Sequence, residues 1–105
     1  MSGGSVQYDL KQFEAKFSLP EKITVKQALQ FWAVFSGSIN NREMLFVELW
    51  AVIVRLGLIE NWECAYFSLE TPLEAVFDPR VATLVMHICT LVYKHMESLR
   101  VTGKN

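Results

Sequence analysis

The hydrophobic pattern is strongest in residues 44–56, MLFVELWAVIVRL, where eleven of thirteen residues are apolar. The two exceptions, Glu48 and Arg55, are seven positions apart, so a helix that turns about 100° per residue places both on one narrow strip. An ordinary surface helix has an apolar stripe about 100° wide or a little more, whereas this one is apolar around most of its circumference. The pattern predicts either the central helix of a compact domain or a helix shared with another chain.

A helix is also predicted over residues 25–36, where the capping signals are explicit. Thr24 is a favoured N-cap residue, and Gln27 three positions later completes a Thr-x-x-Gln capping box. The Ser-Gly-Ser sequence that follows is expected to stop the helix. The apolar residues that share one predicted face of this helix are Val25, Ala28, Leu29, Phe31, Trp32 and Phe35.

The central helix and the last helix have similar boundary signals. Asn40 is expected to cap the central helix, with Glu43 three positions later, and Gly57 is expected to close it in a left-handed conformation. Asp78 followed by Pro79 predicts the start of a long last helix over residues 79–99. The chain is therefore expected to contain three principal helices.

Two segments show the alternation of a β-strand. In residues 8–19, Phe13, Phe17 and Leu19 alternate with polar residues, which predicts one half-exposed strand ended by Pro20. In residues 59–67 the alternation is too weak to distinguish a strand from a loop, so a second short strand beside the first is left open. The predicted fold class is mainly α (α+β), with three principal helices, an N-terminal β-strand and that optional second strand. We expect residues 1–7 to be a flexible lead, residues 8–100 a single compact helical domain and residues 101–105 a polar C-terminal tail.

Composition and charge limit the classes of partner. With 51% hydrophobic residues in 105, the chain is expected to form one domain with a core, and because a domain this small leaves much of its surface exposed, apolar residues in excess of that core would suggest a protein partner. The net charge is −1, and no basic residue lies between Arg55 and Arg80. The acidic residues of that interval are Glu60, Glu63, Glu70, Glu74 and Asp78. This distribution argues against binding to nucleic acid or to an anionic membrane.

Cysteine usage and segment length bear on the compartment. Cys64 and Cys89 are 25 positions apart without metal-ligand spacing, and free thiols in a reducing compartment are favoured over a disulfide. The N-terminus lacks the charged start and apolar run of a signal peptide. No apolar segment reaches the roughly 18 residues of a membrane span. The expectation is a soluble cytoplasmic protein.

Candidate chemistry is sparse. The five glycines form no phosphate-binding loop. On the last helix Cys89 faces the predicted core while His87 lies on the polar strip, so the two cannot form a nucleophile–base pair. His87 and His95 diverge by about 80° at helical spacing, which excludes a metal pair on this helix. Glu70 and Glu74 fit an exposed helix start better than an acid–base pair. We predict no catalytic, cofactor-binding or metal-binding residue, no cofactor and no enzymatic activity.

The surplus apolar surface is expected on the shoulders of two helices. Val47 and Val54 line one shoulder of the central helix, and Met86 and Tyr93 line one shoulder of the last helix. These shoulders cannot all turn inward in a single-layer helical domain. The four residues are therefore predicted to contact another copy of the chain or an apolar helical partner.

Two segments resemble a known family. FSLPEKITVKQALQFW (residues 17–32) and ENWECAYFSLETPLEAVFDPRVATLVMHICTLVYKHMESL (residues 60–99) resemble small tail proteins encoded by long-tailed bacteriophages. The resemblance implies a tail assembly chaperone, a non-enzymatic helical protein that self-assembles in the host cytoplasm. Such a protein coats the hydrophobic tape-measure protein and helps to recruit tail-tube subunits. It implies no catalytic residue and assigns no binding residue.

Two other classes of function stay open. A small homo-oligomeric adaptor or regulator would show a closed, self-complementary two-fold interface. An enzyme would show a deep pocket with convergent polar groups. An apolar groove able to take a foreign helix would favour the chaperone.

Overall fold

The computed structural model describes residues 4–103, with side chains as far as residue 99. Within that range the chain forms three antiparallel strands and three helices. The strands are β1 (Ser5–Leu10), β2 (Ala15–Pro20) and β3 (Glu60–Cys64), and the helices are α1 (Val25–Ser38), α2 (Arg42–Arg55) and α3 (Pro79–Gly103). Single 3-10 turns lie at Lys11–Phe13 and Leu73–Ala75. The sheet order is β1-β2-β3, so β2 is its central strand.

The predicted fold class is wrong, because the described residues form an α+β fold with a complete three-stranded sheet. The single strand predicted over residues 8–19 is a hairpin of β1 and β2 around the turn at Lys11–Phe13. Glu14 closes this turn with a φ of 53°, a left-handed conformation that is uncommon outside glycine. The apolar alternation shifts by one residue at the turn, from even positions that end at Leu10 to odd positions that begin at Phe13, and no glycine, asparagine or proline marks it. The sequence pattern therefore predicts one long strand in a mainly helical domain instead of a hairpin.

The chain ends also differ from the expectation. β1 begins at Ser5, so residues 5–7 belong to the sheet rather than to a flexible lead. The backbone of α3 is helical to Gly103, so residues 101–103 extend the last helix rather than begin a polar tail. Residue 4 precedes the sheet without regular secondary structure, and residues 1–3 and 104–105 of the predicted lead and tail lie outside the described residues.

The start of α1 confirms the predicted capping box. The Gln27 backbone N–H donates to Thr24 Oγ1 at 3.1 Å, and the Thr24 N–H donates to Gln27 Oε1 at 3.0 Å. The predicted apolar face of α1 is wrong in part. Phe31 is buried, but Val25 and Leu29 point to solvent, because residues two positions apart lie about 200° apart on a helix, so Leu29 and Phe31 face opposite sides.

The end of α2 is confirmed and its start is not. Gly57 has a φ of +69°, and the Leu58 N–H donates to Ile53 O at 3.2 Å, which is the hydrogen bond of a left-handed helix end. The helix starts one residue later than predicted, with Asn41 rather than Asn40 as its N-cap and with no side-chain cap hydrogen bond. A sequence of two asparagines offers two cap positions, and the helix uses the second.

One hydrophobic core joins the sheet to all three helices. α2 crosses the centre of this core through Leu49, Trp50, Val52 and Ile53, all of which are buried. The Trp50 ring lies 5.8 Å from the Phe67 ring, centroid to centroid, so α2 also holds the segment that follows β3. That segment, residues 65–78, returns along α2 to the start of α3.

Two glycine substitutions are expected to change stability in opposite directions. Gly57→Ala should destabilise the fold by about 1 kcal/mol, because a side chain strains a left-handed residue even where its Cβ meets no atom within 4 Å. Gly37→Ala, inside α1 and equally open, should stabilise it by roughly 0.5 kcal/mol, because alanine loses less backbone entropy in a helix. Urea denaturation of both variants measures the difference. Two effects of the same sign would contradict this assignment of the helix end.

Candidate functional site

The candidate site is an apolar groove between the first turns of α2 and α3. Its third wall is the end of the segment that joins β3 to α3, and its volume is about 530 Å³. We call it the α2–α3 groove. Its lining residues are Arg42, Glu43, Phe46, Val47, Leu73, Val76, Phe77, Asp78, Pro79, Val81, Ala82, Val85 and Met86. Three of these thirteen are charged, so the groove offers mainly hydrophobic contact.

Phe77 is the most unusual residue of the groove. Its side chain is 91% exposed, although it lies directly before the N-cap of α3. A hydrophobic residue at that position often packs against the fourth residue of the helix, but here the fourth residue is Ala82, which is too small to cover a phenyl ring. The Phe77 ring is therefore in water. Its exposure is less favourable than full burial by about 1.5–3 kcal/mol of free energy.

A second, shallower depression adjoins the groove. It has a volume of about 310 Å³ and shares Val47 and Leu73 with the groove. Val54 lines its α2 side, and Glu70 and Glu74 lie on the side of the joining segment. The two hollows therefore adjoin at Val47 and Leu73 and together form one largely apolar strip along α2, with acidic residues in both hollows.

The structure brings three of the four predicted interface residues onto this strip. Val47 and Met86 line the α2–α3 groove and are 43% and 47% exposed. Val54 lines the adjoining depression and is half-buried. Tyr93 lies elsewhere, because its ring packs on Phe35 of α1 at 5.1 Å between centroids. Tyr93 thus makes a contact inside the domain.

The third wall of the groove is held in place by polar contacts around Arg80. Its guanidinium donates to Asp78 Oδ2 at 2.7 Å and lies 3.9 Å from the centre of the Tyr66 ring. The Tyr66 hydroxyl donates to Phe13 O at 2.6 Å, which ties the joining segment to the hairpin. The Asp78 carboxylate also accepts the Arg80 backbone N–H at 2.9 Å and so caps α3. These contacts fix the third wall of the groove in the single chain.

The pKa directions agree with those roles. The side-chain hydrogen bond from Arg80 lowers the pKa of Asp78, so the cap stays ionised at physiological pH. Partial burial raises the pKa of Tyr66, so its phenol keeps the proton that it donates to Phe13 O. Both groups therefore serve to fix the wall of the groove.

No protein-family model, curated protein or solved structure matches this chain. Among residues 4–103, no helix is long and apolar enough to cross a bilayer.

The residues considered for catalysis do not converge in the structure. Burial raises the pKa of the Cys89 thiol to about 12, and that thiol contacts Phe46 O at 3.8 Å. The His87 ring lies against the Phe13 ring at 5.6 Å, and His95 Nε2 hydrogen bonds with Pro20 O at 2.8 Å. Cys64 is a free, half-buried thiol on the sheet side. In the described part of the chain, no three histidine, cysteine or acidic side chains are grouped to hold a metal ion.

Sequence reasoning missed Phe77 and the joining segment that presents it. Phe77 follows Val76 directly before an Asp-Pro helix start, and this position could have been recognised as a loop aromatic without a partner four residues into the helix. The groove itself had no local signal. It exists because the joining segment returns beside α2, which depends on contacts between residues far apart in the chain.

Proposed function

We propose that this chain is a non-enzymatic tail assembly chaperone of a long-tailed bacteriophage, and that its α2–α3 groove binds an apolar helical segment of the tape-measure protein in the host cytoplasm. The observation that carries this proposal is the largely apolar strip with the exposed Phe77 at its edge. Self-assembly and the recruitment of tail-tube subunits belong to the same proposed role.

The shape of the groove suits a helix. Two helix starts and the joining segment form three walls, and the fourth side is open to solvent. An amphipathic helix binds such grooves by placing apolar side chains at positions i, i+3, i+4 and i+7 along the floor. Phe46, Val81 and Val85 supply the floor, and Phe77 is placed to contact the bound helix from the side. Burial of Phe77 on binding would recover the cost of leaving it in water.

Charge narrows the chemistry of the bound segment. Glu70 and Glu74 border the adjoining depression, where Arg55 is the basic lining residue. An apolar helix with one or two basic residues at the end nearest Glu74 fits this arrangement, because opposite charges at the edge of an interface favour one orientation. A helix with acidic residues at that end is disfavoured.

The test is co-expression with a tape-measure fragment from the same genome. We expect a soluble complex, and we expect the double variant Val47→Lys with Met86→Lys to bind the fragment at least about 100-fold more weakly, because two charges would lie unpaired against apolar surface. Isothermal titration with the purified fragment measures the affinity. Both positions are exposed in the free protein, so the variant should stay folded by circular dichroism.

The matched control is Thr83→Lys with Thr90→Lys, which adds the same charge to exposed positions of α3 outside the groove. This control should bind the fragment like the unchanged protein. If both double variants bind equally well, the groove is not the binding site. If the unchanged protein forms no complex with any segment of the tape-measure protein, the proposed function is wrong.

A further inference from the structure

The outward face of α1 is a second apolar surface, separate from the groove. Val25 and Leu29, one helical turn apart, are 75% and 65% exposed. Ala33 follows one turn later and is also exposed. Phe31 and Ser38 on the opposite side are buried, so this stripe faces directly away from the core.

This face lacks the charges that usually keep a helix surface in water. Lys26 is the sole charged residue among the fourteen of α1. A helix on the surface of a soluble domain normally carries charged and polar residues on its outer side. Exposed valine and leucine on adjacent turns with a single charge therefore indicate a surface that another surface covers.

We propose that α1 pairs with α1 of a second copy of this chain, in an antiparallel arrangement about a two-fold axis. A two-fold axis between the second and third turns places Leu29 of one copy opposite Ala33 of the other, and Val25 opposite Gly37. Large residues in the first half of the helix then meet small residues in the second half. A second copy of the chain supplies this match of large and small residues, because its α1 carries the same two halves in the opposite direction.

Charge supports the antiparallel direction. α1 has no basic residue in its last turn, so the partial negative charge of its C-terminal carbonyl groups has no cation nearby from its own helix. In the antiparallel pair, Lys26 of each copy lies beside Ser36 at the C-terminal end of the other. A parallel pair would instead place the two Lys26 side chains together, which is unfavourable.

Gly37 contributes space at the contact. A Cβ built on this residue would meet no atom within 4 Å, so the backbone of the last turn is open to close approach. Val25 of the second copy can therefore rest on the helix backbone. The contact runs along one helix of about 21 Å. It is thus smaller than the roughly 800 Å² per partner of a standard interface, so we expect a reversible, concentration-dependent dimer.

The experiment measures molar mass by sedimentation equilibrium over a wide range of concentrations. The unchanged chain should pass from monomer to dimer, and Val25→Lys with Leu29→Lys should weaken the dimer at least tenfold. The groove variant Val47→Lys with Met86→Lys is the matched control, since it adds the same charge to another exposed apolar surface and should dimerise normally. This comparison separates the α1 contact from the groove, whatever the groove binds.

Disulfide crosslinking tests the direction of the pair without relying on a destabilised dimer. In a Cys64→Ser background, a mixture of Leu29→Cys and Ala33→Cys chains should form mainly the mixed disulfide. Disulfides between identical chains would indicate a parallel pair and overturn the proposed arrangement. A chain that stays monomeric at millimolar concentration, or an α1 variant that dimerises as well as the unchanged chain, would overturn the α1 contact itself. Binding of the unchanged chain to lipid vesicles without dimerisation would assign this face to a membrane instead.

Discussion

Val52→Lys is expected to unfold the protein. Val52 is fully buried on the side of α2 that faces the core, so the substitution removes about 1.5–3 kcal/mol of hydrophobic burial. It also leaves an unpaired ammonium group in apolar surroundings, which costs several kcal/mol more. The sum is about 5 kcal/mol or greater, and a domain of this size has a total stability of about 5–15 kcal/mol. Circular dichroism at neutral pH should show loss of the helical signal or a large fall in the melting temperature.

The pH dependence gives this prediction a specific signature. Burial would lower the pKa of the introduced amine below its unfolded value of about 10.4. The folded state therefore binds fewer protons than the unfolded state between those two pKa values, and stability falls as the pH falls through this window. Stability measured at pH 10 should accordingly exceed stability at pH 7, relative to the unchanged protein.

Val47→Lys is the matched control on the same helix. Val47 is on the opposite shoulder of α2 and lines the α2–α3 groove. A lysine there can extend into water, so the free energy of unfolding should change by less than about 0.5 kcal/mol. If Val47→Lys were as destabilising as Val52→Lys, the groove would be part of the core and the proposed docking surface would be lost.

Phe31→Ala is expected to reduce the free energy of unfolding by about 3–5 kcal/mol. The Phe31 side chain is fully buried, and its removal leaves a cavity beneath α1 in addition to the lost hydrophobic transfer energy. Its ring contacts the Trp32 ring edge-on at 5.2 Å between centroids, and that contact is lost as well. Guanidinium chloride denaturation, followed by tryptophan fluorescence, gives the change in midpoint and slope.

Leu29→Ala provides the comparison for Phe31→Ala. The sequence pattern placed Leu29 and Phe31 on the same apolar face, whereas in the structure Leu29 points to solvent. At low protein concentration, where the chain is monomeric, Leu29→Ala should change stability by less than about 0.5 kcal/mol. A loss of several kcal/mol in the monomer would show that α1 is rotated from its described position, and the α1 contact proposed above would fail with it.

The two exposed apolar surfaces separate the functional alternatives. We propose the α2–α3 groove for a foreign helical partner and the α1 face for a second copy of the chain. A chain that dimerises through α1 but binds no tape-measure fragment would fit the homo-oligomeric adaptor. A chain that does both would fit the assembly chaperone. The pairs of lysine variants distinguish these outcomes because each pair changes one surface.

The candidate site was predictable in part. Periodicity placed Val47 and Val54 on one shoulder of α2, and both lie on the apolar strip. Periodicity also placed Met86 and Tyr93 together, but Tyr93 is used inside the domain, where its ring meets α1. A helical pattern shows which residues share a face. It does not show which neighbouring element covers that face.

What the sequence determined by itself is the local structure at the helix ends. The capping box of Thr24 and Gln27 and the left-handed end at Gly57 each depend on residues within about five positions, so their chemistry is complete in a short segment. Only the tertiary structure decided the sheet, the buried shoulder of α2 and the exposed face of α1. In the sheet, Lys16 pairs with Glu63 across 47 positions. Such pairings depend on which distant segments are buried against each other. The same holds for the burial of Val52 and the exposure of Val47, and no local pattern of residues encodes either outcome.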